Sequence, residues 1–232
     1  MNSLCDSENY FRYEFKFSTR LLDYRGLEMI IRFHPAMFYE VFPQRYVNSL
    51  YLESIDFKSY NDNLGGLSNR TKHRIRWYGD LYGMVNAPVL EAKIKRNDLG
   101  IKRKCPLPEF YFDHELSPSV IKQLLIEGKV ADPMKEQCIS KEAVVGVRYL
   151  RKYFLSQDKK FRITIDWGIE FYGPKSGKHG FIKKDSLDLV ILELKFDQAD
   201  FFASKSISSS IPLRLYRSSK FTRAISTIYG IR

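Results

Sequence analysis

Hydrophobic and polar residues alternate in a series of short segments along the chain. The first segment reads Arg-Tyr-Glu-Phe-Lys-Phe over residues 12–17, so every second side chain is charged. Because successive side chains of a β-strand point to opposite faces, this pattern predicts strands with one apolar and one polar face. Seven such segments contribute to a predicted total of about eight strands: residues 10–17, 47–53, 72–78, 88–95, 144–154, 161–169 and 187–196.

Helices are predicted between and after these strands, from capping residues and from the spacing of apolar positions. The expected helices start after Ser18 or Thr19 and at Ser117-Pro118, and span residues 133–143, 199–208 and 220–229. No repeat or Pro/Ser-rich linker divides the sequence, so we expect a single domain over residues 1–232. The mixture predicts an α+β fold, either an antiparallel β-barrel or a strongly curved sheet.

The polar faces of the predicted strands consist almost entirely of ions. Side chains two residues apart on a strand share a face, so each strand presents a charged stripe. The stripes are Arg12/Glu14/Lys16, Lys72/Arg74/Arg76, Glu91/Lys93/Lys95, Arg162/Thr164/Asp166 and Glu193/Lys195. The opposite faces carry Phe15, Ile75, Trp77, Leu90, Ile163, Ile165, Leu192 and Leu194.

Two arrangements accommodate such strands. In the first, which is the commoner one for any single strand, an antiparallel sheet covers a core with one face and meets water with the other. In the second, the sheet closes with its apolar faces outward under helices, and the ionic stripes line the interior. Such an interior must be wet and filled by counter-ions, because an unpaired buried ion costs several kcal/mol. A phosphate-rich polyanion is its natural occupant.

The composition gives a net positive charge, and the distribution of Lys and Arg along the chain shows where this charge lies. The 232 residues include 38 Lys+Arg and 27 Asp+Glu, a net charge of +11, and the 44% hydrophobic content excludes a disordered basic tail. No apolar run reaches the roughly 18 residues that span a bilayer, and the three cysteines lack zinc-ligand spacing. Residues 70–104 hold ten Lys or Arg against three acids, which is +7 of the total. Within this stretch Lys102-Arg103-Lys104, taken alone, is typical of a solvated loop.

Several motifs in a fixed order resemble one family. The run Arg-Ile-Arg-Trp-Tyr-Gly at residues 74–79, preceded by Val-Asn-Ser-Leu-Tyr-Leu at 47–52, resembles the polyphosphate polymerase domain of the vacuolar transporter chaperone (VTC) family. The stand-alone bacterial members look more similar still, and the resemblance runs from about residue 10 to about residue 230. The other motifs are Arg12-x-Glu-x-Lys16, Leu90-Glu-Ala-Lys93, Tyr149-x-Arg151, Arg162-x-Thr-x-Asp166, Leu192-Glu-Leu-Lys195 and Ser219-Lys220-Phe221.

The resemblance implies a triphosphate tunnel metalloenzyme of the CYTH-like superfamily, an antiparallel β-barrel with a charged interior and helices packed outside. It implies a polymerase that transfers the γ-phosphate of ATP to inorganic polyphosphate with Mn²⁺ or Mg²⁺ as cofactor. The implied catalytic residues are Arg74, Arg76, Lys93, Arg151, Arg162 and Lys220. The implied substrate-binding residues are Lys16, Lys104 (in preference to Lys102), Arg12, Tyr149, Lys195 and Ser219. Glu193 is the implied metal ligand, with Glu14, Glu91 and Asp166 as supporting or metal-proximal acids.

One departure within the wider superfamily bears on the reaction. The triphosphatase and adenylyl cyclase branches typically open with Glu-x-Glu-x-Lys, whereas this chain has Arg12 at the first position. Replacing that carboxylate removes a metal ligand and adds a phosphate-binding group, which favours a polymerase. A tunnel-type triphosphatase and a non-catalytic polyphosphate or inositol-phosphate binding module stay open as alternatives.

The expected partners are ATP and inorganic polyphosphate. No recognisable DNA- or RNA-reading motif occurs, so no specific nucleic acid is expected. The polar N-terminus lacks the order of a signal peptide, which favours the cytoplasm. The fungal members of the family carry membrane domains, so export of a product would require a membrane-protein partner at the inner face of a membrane.

Overall fold

The computed structural model describes residues 6–128, 130–175, 180–216 and 219–231, with side chains from residue 12 onward. The strands in these ranges are β1 (Asp6–Thr19), β2 (Tyr39–Glu53), β3 (Asn69–Tyr78), β4 (Gly83–Val85), β5 (Val89–Arg96), β6 (Leu99–Pro106), β7 (Phe110–Phe112), β8 (Glu142–Leu155), β9 (Arg162–Pro174), β10 (Phe181–Leu187) and β11 (Val190–Asp197). The α-helices are α1 (Tyr24–Arg32), α2 (Lys58–Leu64), α3 (Pro118–Glu127), α4 (Asp132–Ile139), α5 (Phe201–Ser209) and α6 (Lys220–Tyr229). None of these helices is both long enough and apolar enough to cross a bilayer.

Eight of the strands form a closed antiparallel ring. Their order is β9-β11-β1-β6-β5-β3-β2-β8, and the ring closes because β8 also pairs with β9. β10 extends the sheet by pairing with the C-terminal part of β9, while β4 and β7 form a separate two-stranded sheet. Of the two arrangements that the sequence allowed, the barrel is therefore confirmed, and with it the predicted α+β fold.

The apolar stripes face outward, where helices cover them. Leu27 of α1 packs with Ile163 and Leu192 in one buried cluster. A second buried cluster joins α3 and α4 to Ile75 and Leu90. Each fully buried aliphatic side chain of this kind contributes about 1.5–3 kcal/mol to the hydrophobic stabilisation. The outer surface of the barrel thus supplies the core, which leaves the inner surface for charge.

Helix α6 lies differently from the others. It packs against Val145 and Val147, which lie on the same face of β8 as Arg151, and its own contacts there are the buried Phe221 and Ile225. One end of the inner face is therefore apolar and covered by α6. This packing brings Lys220, the first residue of α6, to the charged part of the inner face.

The first helix begins later than the sequence predicted. β1 continues through Ser18 to Thr19, and the Thr19 hydroxyl accepts from the backbone N–H of Leu21 in a turn, so it does not cap a helix. The N-cap of α1 is Asp23, whose carboxylate accepts from the N–H of Gly26 at 2.8 Å. The start of α1 is therefore set by Asp23, a short side chain that accepts a hydrogen bond from the first turn of the helix.

The run Lys102-Arg103-Lys104, which taken alone is typical of a solvated loop, belongs to β6. β5 and β6 form a hairpin through the two-residue turn Asn97-Asp98, with Asn97 in the left-handed conformation (φ 54°). Asn tolerates this conformation and favours such turns. The register places Lys104 opposite Glu91 and Lys102 opposite Lys93, so both lysines lie on the inner face.

Candidate functional site

The charged stripes meet across the inside of the ring. Lys93 Nζ of β5 lies 2.9 Å from a carboxylate oxygen of Glu14 on β1, although β6 separates the two strands. Arg151 of β8 likewise reaches Glu193 of β11 at 3.3 Å across β9. Contacts that skip a strand require a concave face, so these stripes line one interior.

Two carboxylates on neighbouring strands form the centre of this interior. Glu14 of β1 and Glu193 of β11 are bridged by Lys16, whose Nζ lies 3.0 Å from the first and 3.6 Å from the second. Lys195 bridges the same pair at 3.7 and 3.3 Å. The paired β1–β11 ladder sets this arrangement, because Lys16 is opposite Glu193 and Glu14 is opposite Lys195.

A third carboxylate ties α6 to this centre. Asp166 of β9 is fully buried and accepts two hydrogen bonds from Arg151, at 2.5 and 2.6 Å, and one from Lys220 Nζ at 2.5 Å. Lys220 also lies 3.7 Å from Glu193, and both Lys220 and Arg151 face the ring of Tyr149. We call this set the carboxylate cluster: Glu14, Glu193, Asp166, Lys16, Lys93, Lys195, Arg151 and Lys220.

A second cluster surrounds the single carboxylate of Glu91 on β5. Arg74 reaches one of its oxygens at 2.7 Å, and Arg76 and Lys102 reach the other at 3.3 and 3.0 Å. Arg74 also donates to the hydroxyl of Tyr51 at 3.3 Å. We call Arg74, Arg76, Glu91 and Lys102 the arginine cluster. Together the two clusters hold eight cations and four carboxylates.

All four carboxylates are ionised in this environment. Burial opposes ionisation of Glu193, but Lys195 and Lys16 outweigh burial and hold the pKa of its carboxyl well below the usual range. The pKa of Glu14 is lowered in the same way against burial by Lys16 and Lys93, and that of Glu91 by Arg74. Asp166 likewise has a lowered pKa. The carboxylates therefore stay negative and leave a surplus of cations around them.

Desolvation and this surplus together lower the pKa of three inner-face lysines, whereas carboxylate contacts raise the pKa of Lys16 and Lys220. Desolvation among the neighbouring side chains lowers the pKa of Lys93 to about 8 although its side chain is partly open to solvent, with Glu14 opposing the shift and Lys16 adding to it. Burial and the charge of Arg76 lower the pKa of Lys102, and burial and the charge of Lys16 lower that of Lys72. Mutual repulsion of this kind is relieved when an anion enters. The inner face is therefore suited to a ligand that carries several negative charges.

The remaining residues named from the sequence lie around the two clusters. Arg12 pairs with Asp197 at 3.1 Å, and Ser219 accepts a hydrogen bond from Lys72 at 2.9 Å. Lys104 is partly buried on the inner face of β6. Arg162 is exposed at the first position of β9 and forms no ion pair with any residue of the described ranges.

Lys102 and Tyr51 are functional candidates that the sequence reasoning missed. Lys102 was passed over for Lys104, although both lie on one register and Lys102 is the one that contacts Glu91. Tyr51 connects Arg74 to α6, since its ring lies 4.9 Å from the ring of Phe221. The alternation within residues 47–53 assigns Tyr51 to one of the two faces of its strand, but no sequence signal shows that α6 packs on that face.

The carboxylate cluster fits a hard divalent cation. Glu193 and Glu14 offer ionised oxygens on adjacent strands, and the contacts of Glu193 with its four cations are loose, from 3.3 to 3.7 Å. Mg²⁺ is typically held by one or two carboxylates and completed by substrate phosphates and water. No set of three or more metal-ligating side chains occurs within the described ranges. Asp166 and Glu91 make the shortest cation contacts, at 2.5 and 2.7 Å, and the shortest contact of Glu14 is 2.9 Å.

Sequence and structure comparisons identify a family and a fold that this chain resembles. The family described as the VTC domain matches residues 11–229. The fold is similar to a candidate adenylate cyclase from Vibrio parahaemolyticus, with a TM-score of 0.53 and 10% identity over 93% of this chain and 98% of that one. It is also similar to a candidate adenylyl cyclase from Hippeastrum described as having a dominant triphosphatase activity, with a TM-score of 0.52 and 12% identity over 94% and 95% of the two chains. No curated protein sequence gives a significant match. At these identities the structural likeness shows the fold alone.

Proposed function

Because this chain belongs to the VTC domain family, we propose that it is a metal-dependent polyphosphate polymerase that transfers the γ-phosphate of ATP to a growing inorganic polyphosphate chain. The observation that carries the proposal is the convergence of eight cations on four ionised carboxylates inside a closed barrel. A linear polyanion can thread such an interior and contact several strands at once. A folded protein surface or a duplex nucleic acid cannot enter it.

Phosphoryl transfer demands alignment and charge stabilisation from the protein more than covalent chemistry. The bond between the γ-phosphorus and the β,γ-bridging oxygen breaks, ADP leaves with the electron pair, and a terminal oxygen of phosphate or polyphosphate bonds to the same phosphorus. The attacking oxygen is already ionised, so no side chain has to remove a proton. Arg74, Arg76 and Arg151 present planar guanidinium groups, which bind phosphate oxygens in pairs. Lys16 and Lys220 add point charges near the transferring group.

Glu193 would hold the cation together with Glu14. When bound, the cation neutralises phosphate charge and orients the reacting oxygens. Asp166 has a different role in this proposal, since it fixes Arg151 and Lys220 in place through three short hydrogen bonds. Glu91 does the same for Arg74 and Arg76.

Arg12 favours polymerisation over hydrolysis. It occupies the position where the hydrolytic and cyclase branches typically place a carboxylate, and its guanidinium is held in the middle of β1 by Asp197. A cation there adds attraction for a second anionic substrate instead of a further metal ligand. A triphosphatase remains the second candidate, because the fold is shared with a protein described as having that activity.

The test is incubation of the purified protein with ATP and Mn²⁺. We expect chains of increasing length on a gel, degraded by acid, and loss of these chains in Arg74→Ala. Arg25→Ala is the matched control, because Arg25 is exposed on α1 outside the barrel and should leave synthesis unchanged. Phosphate release from triphosphate without chains would support the hydrolase. Tight triphosphate binding without turnover under any metal would support a binding module.

A further inference from the structure

Beyond the two clusters, the inner face ends in aromatic rings around one arginine. Arg45 of β2 is the register partner of Arg151 on β8, so the two side chains share the inner face. The guanidinium carbon of Arg45 lies 3.9 Å from the ring centroid of Tyr78, 4.8 Å from that of Tyr153 and 5.4 Å from that of Phe42. We call Arg45 and these three rings the aromatic mouth, because Tyr78 is the last residue of β3.

The aromatic mouth differs chemically from the interior. Arg45 donates to the hydroxyl of Tyr153 at 3.2 Å and pairs with no carboxylate in the described part of the chain, whereas every cation of the two clusters contacts one. Two of the rings are open to solvent, Phe42 with 52% and Tyr78 with 45% of their surface exposed. Partly exposed rings beside a fixed guanidinium are a surface for a flat, partly charged ligand.

The mouth adjoins the carboxylate cluster directly. The ring of Tyr153 lies 5.9 Å from the guanidinium carbon of Arg151, and Arg151 contacts Glu193. A ligand that places phosphates at Arg151 and Glu193 can therefore extend past Tyr153 to Arg45 and Tyr78. Along the inner face the order of side chains is therefore Glu193, Arg151, Tyr153, Arg45 and Tyr78.

We propose that the aromatic mouth binds the nucleoside end of ATP, with the purine stacked on Phe42 and Tyr78 and Arg45 contacting a phosphate oxygen near the ribose. This inference rests on the proposed function, because it assumes that a triphosphate occupies the tunnel. A polyphosphate chain has no π face and gains nothing from the exposed rings, whereas a nucleobase stacks on them favourably. The rings therefore distinguish the nucleotide donor from the inorganic acceptor.

The experiment compares ATP with inorganic tripolyphosphate by isothermal titration calorimetry in EDTA, where no turnover occurs. Phe42→Leu and Tyr78→Leu remove a ring but keep an apolar side chain. We expect the Kd for ATP to rise about tenfold in each variant and the Kd for tripolyphosphate to stay within about twofold. Tyr78→Phe should keep the affinity for ATP. Phe202→Leu is the matched control, since Phe202 is 80% exposed on α5.

Two results would overturn the inference while leaving the proposed function intact. Equal losses for ATP and tripolyphosphate would mean that the rings serve only to hold Arg45 or the fold. Unchanged ATP affinity in both leucine variants would mean that the base does not touch these rings. If the wild-type protein bound neither ligand, both the inference and the proposed function would fail. UTP adds a further readout, because weaker stacking of a pyrimidine should make its affinity less sensitive to the ring substitutions.

Discussion

The arginine cluster and the carboxylate cluster carry the same net charge but differ in how it is arranged. Three cations surround the one carboxylate of Glu91 in the first, and five cations surround Glu14, Glu193 and Asp166 in the second. Each therefore has an excess of two positive charges for a polyanion. Only the second places ionised oxygens on adjacent strands, where a divalent cation can share them.

Contact distances separate the roles of the carboxylates further. The contacts of Glu91 include 2.7 and 3.0 Å, and those of Asp166 are 2.5 to 2.6 Å, so both are engaged by charge-assisted hydrogen bonds. The contacts of Glu193 are all 3.3 Å or longer. Short bonds fix the partner, whereas long ones leave the oxygen available. Glu91 and Asp166 therefore position cations, and Glu193 is the carboxylate best suited to the metal.

The largest effect should come from removing the charge of Glu193. We expect Glu193→Gln to lower metal-dependent turnover of ATP by about 10²–10³-fold, because the variant loses its main ligand for the cation. Metal-free binding of tripolyphosphate should strengthen, since a repelling carboxylate is gone. Turnover across a Mn²⁺ titration and calorimetry without metal measure the two effects. Unchanged dependence of turnover on Mn²⁺ would refute the assignment of Glu193.

Glu91→Gln should have a smaller effect of a different kind. The substitution leaves Arg74, Arg76 and Lys102 without their counter-charge, so we expect a loss of about 2 kcal/mol in the free energy of unfolding and about a tenfold fall in turnover. The Mn²⁺ concentration for half-maximal rate should stay unchanged, because in the proposed site Glu91 positions arginines and does not hold the cation. Chemical denaturation and the same Mn²⁺ titration test this. A shifted metal requirement would place Glu91 among the ligands.

The barrel could be predicted from the sequence because alternation is a local property. Arg74, Arg76, Glu193 and Lys195 each belong to a strict period-2 run, so their shared face follows without knowledge of the rest of the chain. That all these faces point to one interior depends on closure between β8 and β9, which no local pattern shows. The family resemblance supplied that step.

Two of the missed residues, Arg45 and Lys102, lie where the pattern is interrupted. Arg45 lies in a stretch of β2 with register shifts on both sides of Phe42, and Pro43 next to Phe42 breaks the appearance of a strand. Lys102 lies in a run of three basic residues, which hides the alternation of β6. Loose alternation and bulges remove the periodic signal although the residues still face inward.

The effect that is smallest near neutral pH should be a change with pH, set by Lys93. Its pKa of about 8 lies below the unfolded value of about 10.4, so between these values the unfolded chain binds more protons and stability rises with pH. Polyanion binding favours the charged amine, so tripolyphosphate affinity should fall up to about tenfold per pH unit above 8. Thermal unfolding from about pH 7 to about pH 9.5 gives the slope of stability against pH without tripolyphosphate, and the slope of tripolyphosphate affinity against pH when the ligand is added. Lys93→Met should reduce both slopes without abolishing them, because Lys72 and Lys102 have pKa values shifted in the same direction. Slopes identical to wild type in that variant would show that Lys93 does not meet the polyanion.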